Sequence, residues 1–210
     1  MNHSDDFAQR SAELIGAGRY MHDRGWVPAT SGNFSARLRS GEIAITVSGR
    51  HKGRLEPNDI MRVDLAGTSL DGSRPSAETL LHTSLYQRFG ETGSVLHAHS
   101  PGSILASRVF PGGLELSDHE LLKALPGITT HETRVRIPVF ANDQDMNRLT
   151  ARVSDYLDRQ PDCPGYVIAG HGFYTWGATV DDALRHAEAL EFLFDIEVRL
   201  HSRTQGDLQP

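Results

Sequence analysis

Residues 94–103 read SVLHAHSPGS, an apolar run that ends in two histidines and continues into a serine and a proline. Side chains alternate between the two faces of a β-strand, so His97 and His99 project from the same face. Two adjacent imidazoles can share one metal ion, although histidines at a strand end also occur as ordinary surface residues. Serine followed by proline is typical of a helix start. The stretch therefore predicts a strand, then a helix, with a candidate metal site where the strand ends.

Composition limits the classes of protein that the chain can represent. Its 210 residues, 38% of them hydrophobic, suit a single globular domain covering 1–210. No apolar run is long enough to cross a membrane, and the first residues lack the features of a signal peptide. Cys163 is the only cysteine, which excludes intrachain disulfides and cysteine-based zinc sites. We therefore expect a cytoplasmic enzyme.

Charge argues against nucleic acid as a partner. The formal net charge is −6, and lysines and arginines form no cluster of the kind that binds nucleic acid. Together with the lack of a membrane-crossing run, this predicts a small-molecule substrate and neither nucleic acid nor membrane as a partner. An anionic substrate has to be bound by a local pocket, because the global field of the chain would repel it.

Hydrophobic periodicity predicts alternating helices and strands. Predicted helices cover 6–24, 76–89 with Ser76 as N-cap, a segment from Ser100, 119–125, 143–160 and 180–203. Predicted strands cover 42–49, 61–65, 94–99 and 135–140, the last at an edge because Pro138 lacks a ladder donor, and two more flank residues 170–172. The alternation predicts a mixed α/β domain with one core.

A third histidine stands in an open turn. His171 lies between two glycines in AGHGF, and the apolar run before it predicts a strand. The glycines leave the ring uncovered and let the backbone turn sharply, although Gly-His-Gly also suits a plain hairpin tip. Three histidines at strand ends suit a zinc site with an open coordination position, and iron, manganese or cobalt fit the same ligands.

Two glutamates are candidates for proton transfer. Glu78 lies in PSAETLLH and Glu120 in SDHELLKAL, each at a predicted helix start. A carboxylate at such a position also favours the helix macrodipole without any catalytic role. The residues around the two glutamates leave both interpretations open.

Three loops of small residues can bind an anion. TSGN (30–33), SGRHKG (48–53) and RPSA (74–77) offer hydroxyls and free backbone N–H groups, and Arg50 and Lys52 can add positive charge. None matches a known nucleotide-binding fingerprint, and each alone also fits a plain turn.

Five segments, taken in order and spacing, resemble the class II (zinc-dependent) aldolase and adducin-head family from about residue 11 to about residue 200. They are GNFS (32–35), TVSG (46–49), PSAETLLHTSLY (75–86), VLHAHS (95–100) and GHG (170–172). The resemblance implies a three-layer α/β/α single domain around a central mixed, largely antiparallel sheet. It also implies a homotetramer with its sites near subunit boundaries.

The resemblance also implies roles for particular residues. It implies one zinc ion per subunit, bound by His97, His99 and His171. Four residues fall where relatives hold a substrate phosphate: Asn33, Ser48, Gly49 and Ser76. Many relatives have two serines before the first glutamate, whereas this chain has Ser76 and then Ala77, and Lys52 with its neighbours can compensate.

Further segments are similar to the dehydratases of this family, which act on a methylthio-substituted 2-keto sugar phosphate in methionine salvage. They are RGWVPATSGNFS, TVSGRHKGRL, ELLKAL, IPVFANDQDM and AGHGFYTWG. This similarity implies Glu120 as the acid/base, with Glu78 as a fourth metal ligand or substrate contact. Four aromatic residues are candidates for a methylthio pocket or for the core: Trp26, Phe34, Phe173 and Trp176.

Two alternatives remain. A sugar-phosphate aldolase or 4-epimerase would use the same metal, with Glu78 rather than Glu120 transferring the proton. A non-enzymatic module like the adducin head would share the fold without needing three ligand-type histidines. Glu120 in its ELLKAL context favours the dehydratase over the first, and the three histidines favour an enzyme over the second.

Overall fold

Single α-helices separate groups of one to three strands along the chain of the computed structural model, which describes residues 3–206. Within that range the α-helices are α1 (His3–Asp23), α2 (Thr79–Arg88), α3 (Pro101–Val109), α4 (Met146–Arg159) and α5 (Val180–Gly206). The strands are β1 (Asn33–Arg37), β2 (Ile43–Thr46), β3 (Ile60–Val63), β4 (Ser94–Ala98), β5 (Leu114–Ser117), β6 (Arg134–Ile137), β7 (Val139–Phe140), β8 (Gly165–Ile168) and β9 (Gly172–Gly177). Short 3₁₀ helices lie at Lys52–Arg54, Pro57–Asp59 and Glu120–Ala124.

Seven of the strands form one sheet in the order β3-β2-β1-β4-β9-β8-β7. All neighbours in this sheet are antiparallel except β7 and β8, which run parallel. Strands β5 and β6 form a separate antiparallel pair. The predicted mixed, largely antiparallel sheet is confirmed, and β4 with its histidines lies at its centre.

Helices cover both faces of the sheet, which gives the three predicted layers. Along β4, Leu96 packs in one core cluster with residues of α1, α3 and α5, whereas Val95 packs in a second cluster with residues of α2 and α4. This division follows from the two-residue period of a strand. The same period places His97 on the face that α2 covers.

Some boundaries differ from the sequence prediction. Ser76 does not cap the second helix: α2 begins at Thr79 after Glu78, which makes no side-chain cap, and Ser76 Oγ instead accepts from the Glu78 N–H at 3.3 Å. The segment 135–140 is two strands rather than one. Pro138 separates β6, which pairs with β5, from β7, which is the parallel edge strand of the main sheet.

Two strands lie where no strand was predicted. β1 follows directly on the TSGN loop, and β5 follows a pair of glycines at 112–113. Within residues 3–206, none of the helices combines the length and the apolar character that crossing a lipid bilayer requires.

Candidate metal centre

Three imidazoles and one carboxylate converge at the end of β4. The Nε2 atoms of His97 and His99 are 2.9 Å apart, those of His97 and His171 are 3.3 Å apart, and those of His99 and His171 are 3.1 Å apart. Glu78 Oε1 lies 2.9 Å from His171 Nε2 and 3.6 Å from His97 Nε2. Among the described residues, these four offer ligand atoms within 4.8 Å of one another. The structure therefore brings together the three predicted histidines and Glu78, the predicted fourth ligand or substrate contact.

The turn between β8 and β9 sets the position of His171. Gly170 has a φ of +64°, a left-handed conformation that glycine adopts without strain. Gly172 packs so closely against β4 that a Cβ there would collide with the carbonyl oxygen of Ala98. The two glycines thus let the turn fold back over β4 and place His171 beside the histidines of that strand.

The protonation of the imidazoles suits a cation. His97 Nδ1 lies 2.9 Å from the carbonyl oxygen of Phe173, which can only accept, so Nδ1 carries the proton and the Nε2 lone pair faces the cluster. Burial lowers the pKa of His97 well below its ordinary value, and burial together with His171 lowers the pKa of His99 to about 4. Nitrogen ligands of a tetrahedral zinc are roughly 3.3 Å apart, close to the spacing seen here. The donor set therefore fits a metal ion.

Glu78 completes this cluster on the side of α2. Its side chain is 18% exposed, and its Oε2 accepts a hydrogen bond from Asn33 Nδ2 at 3.1 Å. Burial opposes ionisation of the Glu78 carboxyl, but the neighbouring imidazoles outweigh burial and lower its pKa. Glu78 is thus placed to bind a cation, or to contact a substrate that the cation binds.

Three loops of small residues meet next to this centre. Asn33 Nδ2 lies 3.3 Å from Ser76 Oγ, and the Ser48 N–H donates to the carbonyl oxygen of Arg74 at 3.3 Å. Gly49 has a φ of +76° and open space above its Cα, so the backbone of this loop is accessible. The structure therefore brings four predicted phosphate-site residues to one region beside Glu78: Asn33, Ser48, Gly49 and Ser76.

Lys52 lies beneath these loops rather than on their surface. Only 1% of the residue is exposed, and Nζ donates to the carbonyl oxygens of Thr30 at 2.9 Å and Arg50 at 2.7 Å. Burial lowers the pKa of Lys52 to about 8, although the Glu78 carboxylate acts in the opposite direction. Lys52 thus joins two of the loops and keeps a positive charge close to Glu78.

Glu120 lies away from the cluster of Glu78 and the three histidines of its own chain. Its side chain is 72% exposed; Oε1 accepts from Lys123 Nζ at 2.6 Å, and Oε2 lies 3.5 Å from His131 Nδ1. The Glu120–Ala124 segment packs against α5, where His119 Nε2 lies 2.8 Å from Glu197 Oε1. One protomer therefore does not bring Glu120 to the metal centre.

Three buried polar residues beside the centre were not expected from the sequence. Ser35 on β1 and His82 and Tyr86 on α2 are linked by hydrogen bonds and are each at most 2% exposed. A signal was present, because Glu78, His82 and Tyr86 recur every four residues and so share one face of a helix. The pattern resembles an ordinary amphipathic helix, which is why it did not stand out.

The four aromatic residues proposed for a methylthio pocket are not together. Trp176 pairs with Val95, at the end of β4 away from the histidines, and stacks on Phe89. Phe34 and Phe173 are buried in the core cluster of α1, α3 and α5. Trp26 is half-buried, and its carbonyl oxygen accepts from the His99 N–H at 2.9 Å, so it alone of the four is both near the centre and partly accessible.

Known proteins resemble nearly the whole chain. A methylthioribulose-1-phosphate dehydratase of Methylococcus capsulatus is 64% identical over 199 residues, which cover 95% of this chain and 98% of that protein. A methylthioribulose-1-phosphate dehydratase of Pseudomonas paraeruginosa is 53% identical over 201 residues, which cover 95% of this chain and 98% of that protein.

A solved structure shares the fold of this chain, and a family model matches most of its sequence. The L-fuculose-1-phosphate aldolase of Thermus thermophilus superposes with a TM-score of 0.74 at 26% identity, covering 97% of this chain and all of that one. The model of the class II aldolase and adducin N-terminal domain matches residues 12–198, which include every ligand of the candidate metal centre. With the fold, the four converging ligands and this match in agreement, the chain belongs to the class II aldolase and adducin N-terminal domain family.

Proposed function

We propose that the chain is a zinc-dependent hydro-lyase that converts 5-methylthioribulose 1-phosphate to 2,3-diketo-5-methylthiopentyl 1-phosphate and water, a step of methionine salvage. The observation that carries this proposal is the cluster of His97, His99, His171 and Glu78. It is supported by relatives, 52–64% identical over nearly the whole chain, that are named methylthioribulose-1-phosphate dehydratases. Zinc is the metal we propose, at one ion per subunit, because imidazoles and a carboxylate are common zinc ligands.

The three histidines would hold the zinc through their Nε2 atoms. When bound, zinc would act as a Lewis acid that draws electrons from the 2-keto group and stabilises negative charge as the C3 proton leaves. His97 is held in the ligand tautomer by the Phe173 carbonyl. Glu78 would serve as a fourth ligand or contact the substrate from the α2 side, where Asn33 steadies it.

The loops beside Glu78 would bind the phosphate of the substrate. We assign Asn33, Ser48, Gly49 and Ser76 to this site, because their amide, hydroxyl and backbone N–H groups lie in one region. Lys52 would contribute positive charge from below while its carbonyl contacts fix the two loops. Of the four aromatic candidates, Trp26 is the one that is partly exposed and bonded to the backbone of His99, so it is our candidate contact for the methylthio group.

Dehydration removes a proton from C3 and the hydroxyl group from C4, and the hydroxyl group leaves as water once an acid has protonated it. A base takes the proton from C3, the electrons form the C2–C3 enediolate, and the C4–O bond breaks as an acid protonates the leaving hydroxyl. The resulting enol then tautomerises to the 2,3-diketone. General acid/base catalysis is needed because hydroxide leaves poorly without a proton.

Glu120 is our candidate for this proton transfer, and its position requires a second protomer. Its carboxylate is exposed and makes no contact with the cluster of its own chain. We therefore propose a homotetramer in which Glu120 of one protomer reaches the metal centre of a neighbour. In that position the substrate would lie between the two chains.

The test is to mix the purified protein with 5-methylthioribulose 1-phosphate and follow the absorbance of the diketone, with and without a chelator. We expect diketone formation that stops on chelation and returns when zinc is added. A zinc-loaded protein that forms no diketone would exclude the dehydratase.

A sugar-phosphate aldolase or 4-epimerase is the alternative, favoured by the place of Glu78 inside the cluster while Glu120 lies outside. The Thermus thermophilus relative of similar fold is named an aldolase. Products of carbon–carbon cleavage or a C4 epimer, formed from sugar phosphates without diketone, would support it.

We also propose a cytoplasmic location. Cys163 is a free and buried thiol, and burial raises its pKa to about 11, so it stays protonated and unreactive. A single unpaired thiol is typical of reducing compartments, where disulfides are rare.

A further inference from the structure

Five polar side chains form a continuous hydrogen-bonded row from the interior to the metal centre. Tyr86 OH lies 2.8 Å from Ser35 Oγ, which lies 2.7 Å from His82 Nδ1. His82 Nε2 lies 2.5 Å from Asn33 Oδ1, and Asn33 Nδ2 lies 3.1 Å from Glu78 Oε2. All members except Glu78 are at most 3% exposed, so these contacts are shielded from bulk solvent.

The row forms because the spacing of polar side chains along strand β1 is close to their spacing along helix α2. Asn33 and Ser35 are two residues apart on β1 and therefore project from one face, about 6.6 Å apart. Glu78, His82 and Tyr86 are four residues apart at the start of α2 and along it, a rise of about 6 Å per step. The two series interlock, so each polar group of the strand lies next to one of the helix.

The carboxylate fixes the donor and acceptor of every bond in the row. Glu78 offers only acceptor atoms, so the Asn33 atom that faces it is the NH₂ group, which also reaches Ser76 Oγ. The other atom, Asn33 Oδ1, can only accept, so His82 Nε2 must carry a proton.

The remaining protons follow from the same logic. Burial lowers the pKa of His82 to about 3, so the ring carries one proton at neutral pH and its Nδ1 accepts from the Ser35 hydroxyl. Ser35 in turn accepts from Tyr86 OH. Each donor in the row thus points towards Glu78.

We propose that His82 is a positioning residue of the metal centre, which fixes the Asn33 amide so that its NH₂ group holds Glu78 and Ser76. This inference rests on the roles in metal and phosphate binding that the proposed function gives to Glu78 and Asn33. Without the donor of His82, the amide can rotate by half a turn and turn Oδ1 towards the Glu78 carboxylate. His82 thus acts on metal and phosphate through Asn33.

Two substitutions separate this role from simple packing. His82→Gln places an amide NH₂ group where Nε2 lies and so keeps the donor to Asn33, whereas His82→Asn is too short to reach it. Zinc affinity is measured for each metal-free variant by competition with a chelating indicator. We expect His82→Asn to bind zinc about 10-fold to 100-fold more weakly, the usual effect of losing an outer contact of a metal ligand. His82→Gln should stay close to wild type, and so should Tyr86→Phe, which changes only the far end of the row.

Equal loss of zinc affinity in His82→Gln and His82→Asn would overturn the proposal, because packing alone would then explain the effect. A second measurement needs no variant to fold. In the wild-type protein labelled with ¹⁵N at histidine, we expect long-range NMR correlations to show the His82 proton on Nε2. A proton on Nδ1 would overturn the proposal as well.

These measurements also distinguish this inference from the proposed function. A wild-type protein that binds zinc and forms no diketone would refute the dehydratase, yet the zinc affinities and the NMR tautomer would still test His82. An active wild-type enzyme whose His82→Asn variant binds zinc normally would refute the role of His82 alone.

Discussion

Glu78 and Glu120 are both carboxylates, but their surroundings give them different chemistry. Glu78 is partly buried among three imidazoles, where any change in its charge alters the binding of a cation. Glu120 is exposed, and the hydrogen bond from Lys123 lowers its pKa, so the isolated protomer presents an ionised base. To act as an acid as well, Glu120 has to lose this contact or become buried by a neighbouring protomer, since burial favours the protonated form.

The first prediction concerns Glu120→Gln, which keeps the volume of the side chain but cannot exchange a proton. We expect kcat to fall by roughly 100-fold or more, the usual effect of losing a general acid or base, with zinc content unchanged. Glu78→Gln is the matched variant, and it should weaken zinc or substrate binding. Turnover and bound zinc are measured for both; near-normal kcat in Glu120→Gln with loss of turnover in Glu78→Gln would favour the aldolase mechanism.

Single residues of the site were predictable only where their spacing carries geometric information. Two histidines two apart at the end of a strand, and a histidine between glycines, gave the ligand positions that the structure brings together. The burial of His82 and Lys52 was not predictable from the sequence, because a histidine within a helix and a lysine within a loop are usually exposed. Their burial depends on partners far along the chain, namely Asn33 and the Thr30 carbonyl oxygen.

At the scale of structural elements, three loops form the proposed phosphate site. The second prediction is that Ser48→Asp raises KM at least about tenfold, about 1.4 kcal/mol of binding, because a new carboxylate would repel the phosphate. Ser40→Asp adds the same charge to an exposed turn away from these loops and is the control. KM and bound zinc are measured for both variants; an unchanged KM for Ser48→Asp would place the phosphate elsewhere.

The third prediction concerns the buried Lys52 beneath these loops. Its pKa falls from 10.5 to about 8 on folding, so the unfolded chain binds more protons between these values and stability rises with pH there. Relative to Lys52→Met, the free energy of unfolding of the wild-type protein should therefore increase between pH 8 and pH 10.5, by at most about 3 kcal/mol.

The exposed Lys123 supplies the control for this effect. Lys123→Met removes the same charge from a side chain that is 43% exposed, so its difference from wild type should change little over that range. Urea unfolding of the three proteins at several pH values provides the measurement. If the free energies of unfolding of wild type and Lys52→Met changed in parallel with pH, folding would not lower the pKa of Lys52.

Elements were predictable where periodicity was long and regular, as in α4 and α5. β1 was missed because NFSAR mixes polar and apolar residues, and its polar side chains are buried only because α2 supplies His82 and Tyr86 as partners. The division of 135–140 at Pro138 was missed for a different reason. A proline marks a break in hydrogen bonding, but the sequence alone does not show that β6 and β7 join different sheets.

At the scale of the whole molecule, a metal at this centre ties together distant parts of the chain. The fourth prediction is that removing zinc lowers Tm by roughly 10 °C, since a ligand at a thousand times its Kd adds about 4 kcal/mol to stability. Calorimetry with and without chelator provides the measurement. The His97→Ala, His171→Ala double variant is the control and should not respond to chelator; an equal response in both proteins would argue against this metal centre.

The fifth prediction tests whether Glu120 acts on a neighbouring protomer. Glu120→Gln chains should be roughly 100-fold less active than wild type and His97→Ala, His171→Ala chains should be inactive, but unfolding and refolding the two together should restore activity. In a mixed assembly, a metal centre of the first chain can meet an intact Glu120 of the second. No recovery in mixtures shown by mass spectrometry to contain both chains would place Glu120 and the metal in one protomer.

The order of strands in the sheet also has a consequence for how the protein is made. β1 to β4 come from the first 98 residues, but the next neighbour of β4 is β9, and 74 residues separate His97 from His171. A ribosome adds 5–20 residues per second, so β4 waits roughly 4 to 15 s with one edge unpaired. That edge belongs to an apolar strand that is fully buried in the finished protein, so it can pair with another chain in the meantime. Nascent chains should therefore need protection by a chaperone during this interval, and the cation can be acquired only near the end of synthesis.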